Sequence, residues 1–273
     1  MKIGDAAKRY RVRPGEKLDL ASIDTGDSSL FDGSKADSLL VLKDLCEEFE
    51  ALQKVLYAQS KHRVLVVLQA MDTGGKDGLV KSVFSCVDPQ GIDVQAFKKP
   101  NEEDLAHDFL WRVHPHVPAN GHLVVFNRSH YEDILAVRVK KIFPDEVWKR
   151  RYRHVVEFER MLAEEGTLIL KIFLHISKDE QKKRLEARLA NPAKHWKFNP
   201  EDLADRARWN DFQDAYEDLI EKSSTDLAPW FVIPADRKWY RNLVVANIMV
   251  DALRNLKMEF PKSTWDPAKI VIE

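Results

Sequence analysis

A run of five apolar residues, Val64 to Leu68, leads into Gln69-Ala70-Met71-Asp72-Thr73-Gly74-Gly75-Lys76-Asp77-Gly78. An unbroken apolar run of this length reads as a strand buried on both faces, as parallel sheets require. The small residues after it turn the chain, and a helix is expected to begin near Lys76. The stretch approaches G-x-x-x-x-G-K-[ST], in which backbone N–H groups and a helix N-terminus hold phosphate oxygens while the Lys adds a mobile charge. Two positions depart from that pattern. Ala70 stands in place of the first Gly, and Asp77 in place of the Ser or Thr that would bind Mg²⁺. A cation at a helix N-terminus is electrostatically misplaced. Lys76 is therefore better explained by a bound anion than by solvent.

The chain around this stretch alternates helical and strand patterns. Residues 1–35, rich in Gly, Asp, Ser and Pro, read as an irregular arm lying on the body. From Lys35 to about Gln59, apolar residues recur at helical spacing. Further helices are expected over Glu102 to about His114, Asp145–Glu165, Lys178–Leu189, Glu201 to about Lys222, and Trp239–Leu253, with a loop over Asn191–Asn199. Strands are expected at Asp93–Phe97, His122–Phe126, Thr167–Ile176 and Trp230–Pro234. Buried strands alternating with helices specify an α/β layer fold around a parallel sheet, here of about five strands. No composition break marks a linker, so residues 36–260 read as one domain and 261–273 as a tail. Ligands of such sheets sit beyond the carboxyl ends of the strands. That is where Asp72 to Lys76, Lys98 and Lys99, Asn127 to Asp133, and Asp236 to Lys238 fall.

Composition narrows the function classes. The formal net charge is −1, so no global field recruits nucleic acid or membrane. Any anion site must come from local clustering of Lys and Arg. Only Cys46 and Cys86 occur, without metal-ligand spacing, which fits a reducing, cytoplasmic setting and no disulfide framework. The first residues carry no apolar leader, and no run reaches transmembrane length.

Asp72 lies inside an anion loop, where a second negative charge is repelled unless a cation sits between. Mg²⁺ held by carboxylates and phosphates resolves this. Asn127 ends a strand where an Asp would ordinarily orient that ion, and Glu132 and Asp133 follow closely enough to supply the missing charge. On this reading an Asp at 127 should be tolerated. Arg128 can bind phosphate bidentately. Two basic clusters remain, Arg138 to Arg153 and Lys178 to Lys197, and in the second Arg184 and Arg188 share a helix face.

With these residues in view, the chain resembles the polyphosphate kinase 2 family, and its monophosphate-using class III branch in particular. The resemblance is carried by Gln69–Gly78, Phe97-Lys98-Lys99-Pro100, His107–Arg112, Phe126–Asp133, Arg206–Leu219 and Ile233–Tyr240, and it covers roughly residues 35–258. It implies a P-loop kinase-like three-layer sandwich with a helical lid at about 178–211. It implies inorganic polyphosphate as donor, AMP or ADP as acceptor giving ADP and ATP, Mg²⁺ as cofactor with Mn²⁺ as substitute, and a homodimer or homotetramer. By matched position, Asp72, Lys76, Arg128, Glu132 and Asp133 are the central residues, with Asp72 and Asp133 on the metal. Glu132 is the marker of monophosphate use. Thr73, Gly74, Gly75, Asp77, Gly78, Lys98, Lys99 and Asn127 are implied in phosphate or nucleotide binding. Lys76, Arg128, Arg184 and Arg188 are implied on the polyphosphate. The alternative on the same fold is an ATP-dependent nucleoside monophosphate kinase, which needs a base pocket at each end and less basic surface between.

Overall fold

The computed structural model describes residues 3–266 and 269–272, so the outermost positions of the expected arm and tail lie outside the described residues. Asp5 caps a short helix, α1 (Ala6–Tyr10), by accepting from the Lys8 N–H. Strand β1 (Arg11–Val12) follows. Ser34 and Asp37 form a capping box that starts α2 (Lys35–Gln59). β2 (Arg63–Ala70) is buried from Val64 to Ala70 and feeds α3 (Lys76–Val83). β3 (Ile92–Ala96), α4 (Glu102–Ala106), β4 (Leu123–Asn127) and α5 (Glu132–Lys140) come next. They are followed by α6 (Asp145–Glu164), β5 (Thr167–His175), α7 (Lys178–Leu189) and α8 (Glu201–Ala207). The chain closes with α9 (Trp209–Ser223), β6 (Trp230–Pro234) and α10 (Lys238–Asn255). Among the described residues no helix is long and apolar enough to cross a membrane.

The strands form one sheet in the order β1-β6-β5-β2-β4-β3. β2 lies at its centre, parallel to β5 and β4, with Leu68 opposite Asn127 and Ala70 opposite Leu174. The helices fall into two packed groups, α1, α2, α3 and α10 in one and α5, α6 and α9 in the other. A central strand with no exposed face requires both sides covered, which is the three-layer arrangement.

The sheet has six strands rather than about five, because the N-terminal arm contributes β1, antiparallel to β6 with Arg11 opposite Phe231. The arm is thus not irregular throughout. Burial of Ala6 and Tyr10 draws it onto the body, and the Tyr10 hydroxyl lies 2.7 Å from that of Tyr240 and donates to Asp27. The helix expected over 102–114 stops at Ala106. The Asp108 carboxylate accepts from the Leu110 N–H, a local bond that competes with helix, and Pro115 cannot continue one. The 201–222 stretch breaks at Arg208 (φ −95°, ψ 30°), whose guanidinium donates to the Val139 carbonyl. Pro192–Lys197 is a 3₁₀ turn rather than open loop.

Candidate active site

All the parallel strands end at one edge, and the residues that follow them converge there. Gly74 allows the turn after β2, since a Cβ on it would lie 2.5 Å from that of Ala70. Gly75 caps α3 at φ 104°, in the left-handed region open to Gly. Thr73 (φ 66°) and Arg128 (φ 67°) occupy that region without being Gly, an uncommon and strained state that gathers at functional sites. The Thr73 hydroxyl is also buried, with no hydrogen-bond partner among the described residues. A Cβ on Gly75 would meet the Arg241 guanidinium. Gly75→Ala should therefore cost about 1–3 kcal/mol in urea melts, and lower activity further by shifting the loop. A variant with wild-type stability and kinetics would refute this account of the turn.

Lys76 is 8% exposed, and its ammonium donates to the Ala70 carbonyl at 3.0 Å. Among the described residues no carboxylate lies within ion-pair distance of it. Burial, then the neighbouring Arg128 charge, pull its pKa below the ordinary lysine value, while Asp72, Glu132 and Asp77 oppose them. A desolvated cation with no carboxylate in direct contact is costly, and an incoming phosphate oxygen would relieve that cost. The Tyr216 hydroxyl donates to the same Ala70 carbonyl at 3.0 Å.

Arg128 pairs with Asp72, Nη2 to Oδ1 2.7 Å. Burial works against its charge, but Glu132 and Asp72 together raise its pKa. Glu132 is shifted up by burial, with Arg128 and Lys76 opposing and Asp72 and Asp133 adding to the rise. Asp133 is bound by Arg112, Nη2 to Oδ2 2.9 Å, and Arg112 also donates to the Lys98 carbonyl at 2.8 Å. The start of α5 is anchored from within. Glu159 accepts from the Tyr131 hydroxyl at 2.7 Å and from the Lys171 ammonium at 2.5 Å.

Arg184 and Arg188 share a helix but not an environment. The buried Arg184 donates to the carbonyls of Gly74 (2.9 Å) and Ala235 (2.6 Å) and pairs with Glu180. Arg188 lies more open, 3.9 Å from Asp202. Arg184 thus grips the back of the loop, and Arg241 does the same at the Gly75 carbonyl (3.1 Å).

A cleft of about 750 Å³ opens beside the loop. One part of its wall is apolar, with Phe97, Phe109, Phe143 and Phe212, and another carries Asp72, Arg128, Glu132, Asp133 and Asp202. Lys98 and Lys99 lie on its rim. Among the described residues no three acidic, His or Cys side chains converge as a ready metal site. The charges of Asp72 and Asp133 nonetheless add to the cost of charging Glu132. That donor set fits a hard divalent cation held by one or two carboxylates and substrate phosphates.

Sequence reading missed Arg112, Gln181, Asp202, Tyr216 and Arg241. Gln181 donates to the Asp72 carbonyl at 2.8 Å. The available signals were the places of Arg112 and Tyr216 in segments that carry the family resemblance, and an Arg just before the apolar run Leu243–Ala246 in α10. Burial, then repulsion from Asp72, push the Asp202 carboxyl up to about 6. An acid whose folded pKa is raised adds stability below its unfolded pKa and loses it as pH rises through the folded value. For Asp202 the window runs from pH 3.8 to about 6. Asp202→Asn should thus stabilise the substrate-free protein at pH 7–8, by on the order of 1–3 kcal/mol, and flatten its melting temperature across that window. An unchanged pH profile would refute the assignment.

Residues 33–261 match the Polyphosphate kinase 2 family. The chain belongs to that family. It is 54% identical to the AMP/ADP-polyphosphate phosphotransferase of Meiothermus ruber, over 97% of this chain and all of that one. It is 40% identical to the ADP-polyphosphate phosphotransferase of Rhodopseudomonas palustris, over 94% of this chain and 93% of the other. Its fold is similar to the crystal structure of Polyphosphate Kinase 2 from Arthrobacter aurescens TC1, with a TM-score of 0.94 and 44% identity over 98% and 95% of the two chains. Membership makes this protein a phosphotransferase, a polyphosphate-dependent nucleotide kinase.

Proposed function

We propose that this protein transfers the terminal phosphoryl group of inorganic polyphosphate to AMP, and in a second turn to ADP, so that ADP and ATP form. The observation that carries the reading is Lys76, buried beneath the loop with no carboxylate partner among the described residues, beside a cleft that joins apolar walls to cations. An acceptor base suits the aromatic wall, and its phosphate suits Lys98, Lys99 and Arg112. An acceptor phosphate oxygen attacks the terminal phosphorus in line. The new P–O bond forms as the bridging P–O bond breaks, and the shortened chain leaves with the electron pair. Both partners are anions, so Lys76 and Arg128 must offset their repulsion first.

A divalent cation, Mg²⁺ or Mn²⁺, supplies the further charge neutralisation when bound, with Asp72 and Asp133 its assigned holders. Glu132, next to Asp133, is assigned to monophosphate use. The segment from α7 to α8 is assigned as the lid, with Arg188 available to a polyphosphate chain. Reduced Cys46 and Cys86 suit a cytoplasmic setting. Exposed Leu39 and Leu40 on α2 suit a homodimer or homotetramer.

The test mixes purified protein, Mg²⁺, AMP and polyphosphate without ATP. ADP and then ATP should appear, more slowly as salt rises, because a polyanion held by several cations is released by counterions. Turnover of AMP with ATP alone as donor would make the protein an ordinary monophosphate kinase.

A further inference from the structure

Asp77, which stands where the phosphate-loop pattern has Ser or Thr, meets Asn127, which stands where a neighbouring strand ordinarily ends in Asp. Asn127 ends β4, and Asp77 is the second residue of α3. The Asn127 amide donates to Asp77 Oδ1 at 2.9 Å. The other Asp77 oxygen accepts from Lys197 at 3.2 Å, on the turn between α7 and α8. In the ordinary arrangement a neutral hydroxyl on the helix stands near a carboxylate on the neighbouring strand. Here the neutral group is on the strand and the carboxylate on the helix. The hydrogen bond from Asn127 leads the effects that shift the Asp77 pKa down, burial opposing, with Lys197 and Lys76 assisting. Asp77 thus keeps its charge.

We propose that Asp77 and Asn127 are a transposed pair of positioning residues. The site's carboxylate has crossed from strand to helix, where it fixes the loop next to Lys76 and also holds the α7–α8 turn through Lys197. Asp77 and Asn127 lie off the large cleft and line a separate cavity of about 360 Å³ with Val80, Lys81 and Phe84. They therefore act through the loop and not by touching the acceptor. An Asp at 127 would put two carboxylates at hydrogen-bond distance, so the tolerance expected from sequence is reversed. The inference rests on the phosphoryl-transfer reading for its effect on turnover, though not for the pairing itself.

The test compares Asn127→Asp, Asp77→Asn and the reciprocal double variant Asp77→Asn/Asn127→Asp. Asn127→Asp should lower kcat at least about tenfold and lower Tm, with KM for AMP within about twofold. The double variant restores one amide facing one carboxylate. It should recover Tm and bring kcat back to within about threefold of wild type. Kinetics use whichever donor the wild type accepts, and melts need no substrate, so loss of the polyphosphate reading leaves this test intact. A double variant no better than Asn127→Asp, or an Asn127→Asp enzyme equal to wild type, would overturn the proposal.

Discussion

Lys76→Met should leave a folded protein whose turnover is about a thousandfold slower, a loss near 4 kcal/mol of transition-state stabilisation. Met fills similar space without a charge. The buried ammonium has a lowered pKa and one carbonyl contact, so its removal should leave melting temperature level or slightly higher. Ala70 keeps the Tyr216 hydroxyl as a donor, and no carbonyl is orphaned. Fold and catalysis should therefore separate cleanly. A Met variant with more than a tenth of wild-type turnover would remove Lys76 from the charge-neutralising role and leave Arg128 as the main cation.

The second large effect is expected at Asp133. Asp133→Asn should lower phosphoryl transfer by at least about a hundredfold. Two explanations predict that loss, and a companion variant separates them. If Asp133 holds the divalent cation, its loss should raise the Mg²⁺ concentration needed for half-maximal rate. If it serves only to anchor Arg112, which reaches on to the Lys98 carbonyl, then Arg112→Met should match it at every Mg²⁺ concentration. Breaking this largely buried pair by either route should also cost stability, by roughly 3–5 kcal/mol at the upper end. The expected result is a shifted Mg²⁺ curve for Asp133→Asn and an unshifted one for Arg112→Met. Identical curves would take Asp133 off the metal.

Much of the fold was legible because its signals are local. Apolar runs mark β2, β4, β5 and β6. The amphipathic repeat of α2 and the charged repeat of α7 run from Lys35 to Gln59 and from Lys178 to Leu189, as the spacing predicts. The region after β3 was not legible, because Phe109, Leu110 and Val113 suit a helix face yet pack from turns. Strand β5 reads as apolar although it buries Lys171 completely, since the compensating Glu159 lies on another element. The loop residues were visible as a group, but their partners were not. Arg112 meets Asp133 across 21 positions, and Arg184 meets Gly74 across 110. Helical spacing put Arg184 and Arg188 on one face, and only packing shows that one is spent on backbone carbonyls.

The arm has a practical consequence. Family similarity begins at residue 33, whereas β1, which covers the outer side of β6, is Arg11–Val12. A chain trimmed to the matching span would keep every loop residue and lose that cover. The unpaired edge of β6, in a segment buried from Trp230 to Pro234, would then be a template for strands of other molecules. Such a truncation should fail first in solubility and storage, by self-association, before any defect in phosphoryl transfer is seen.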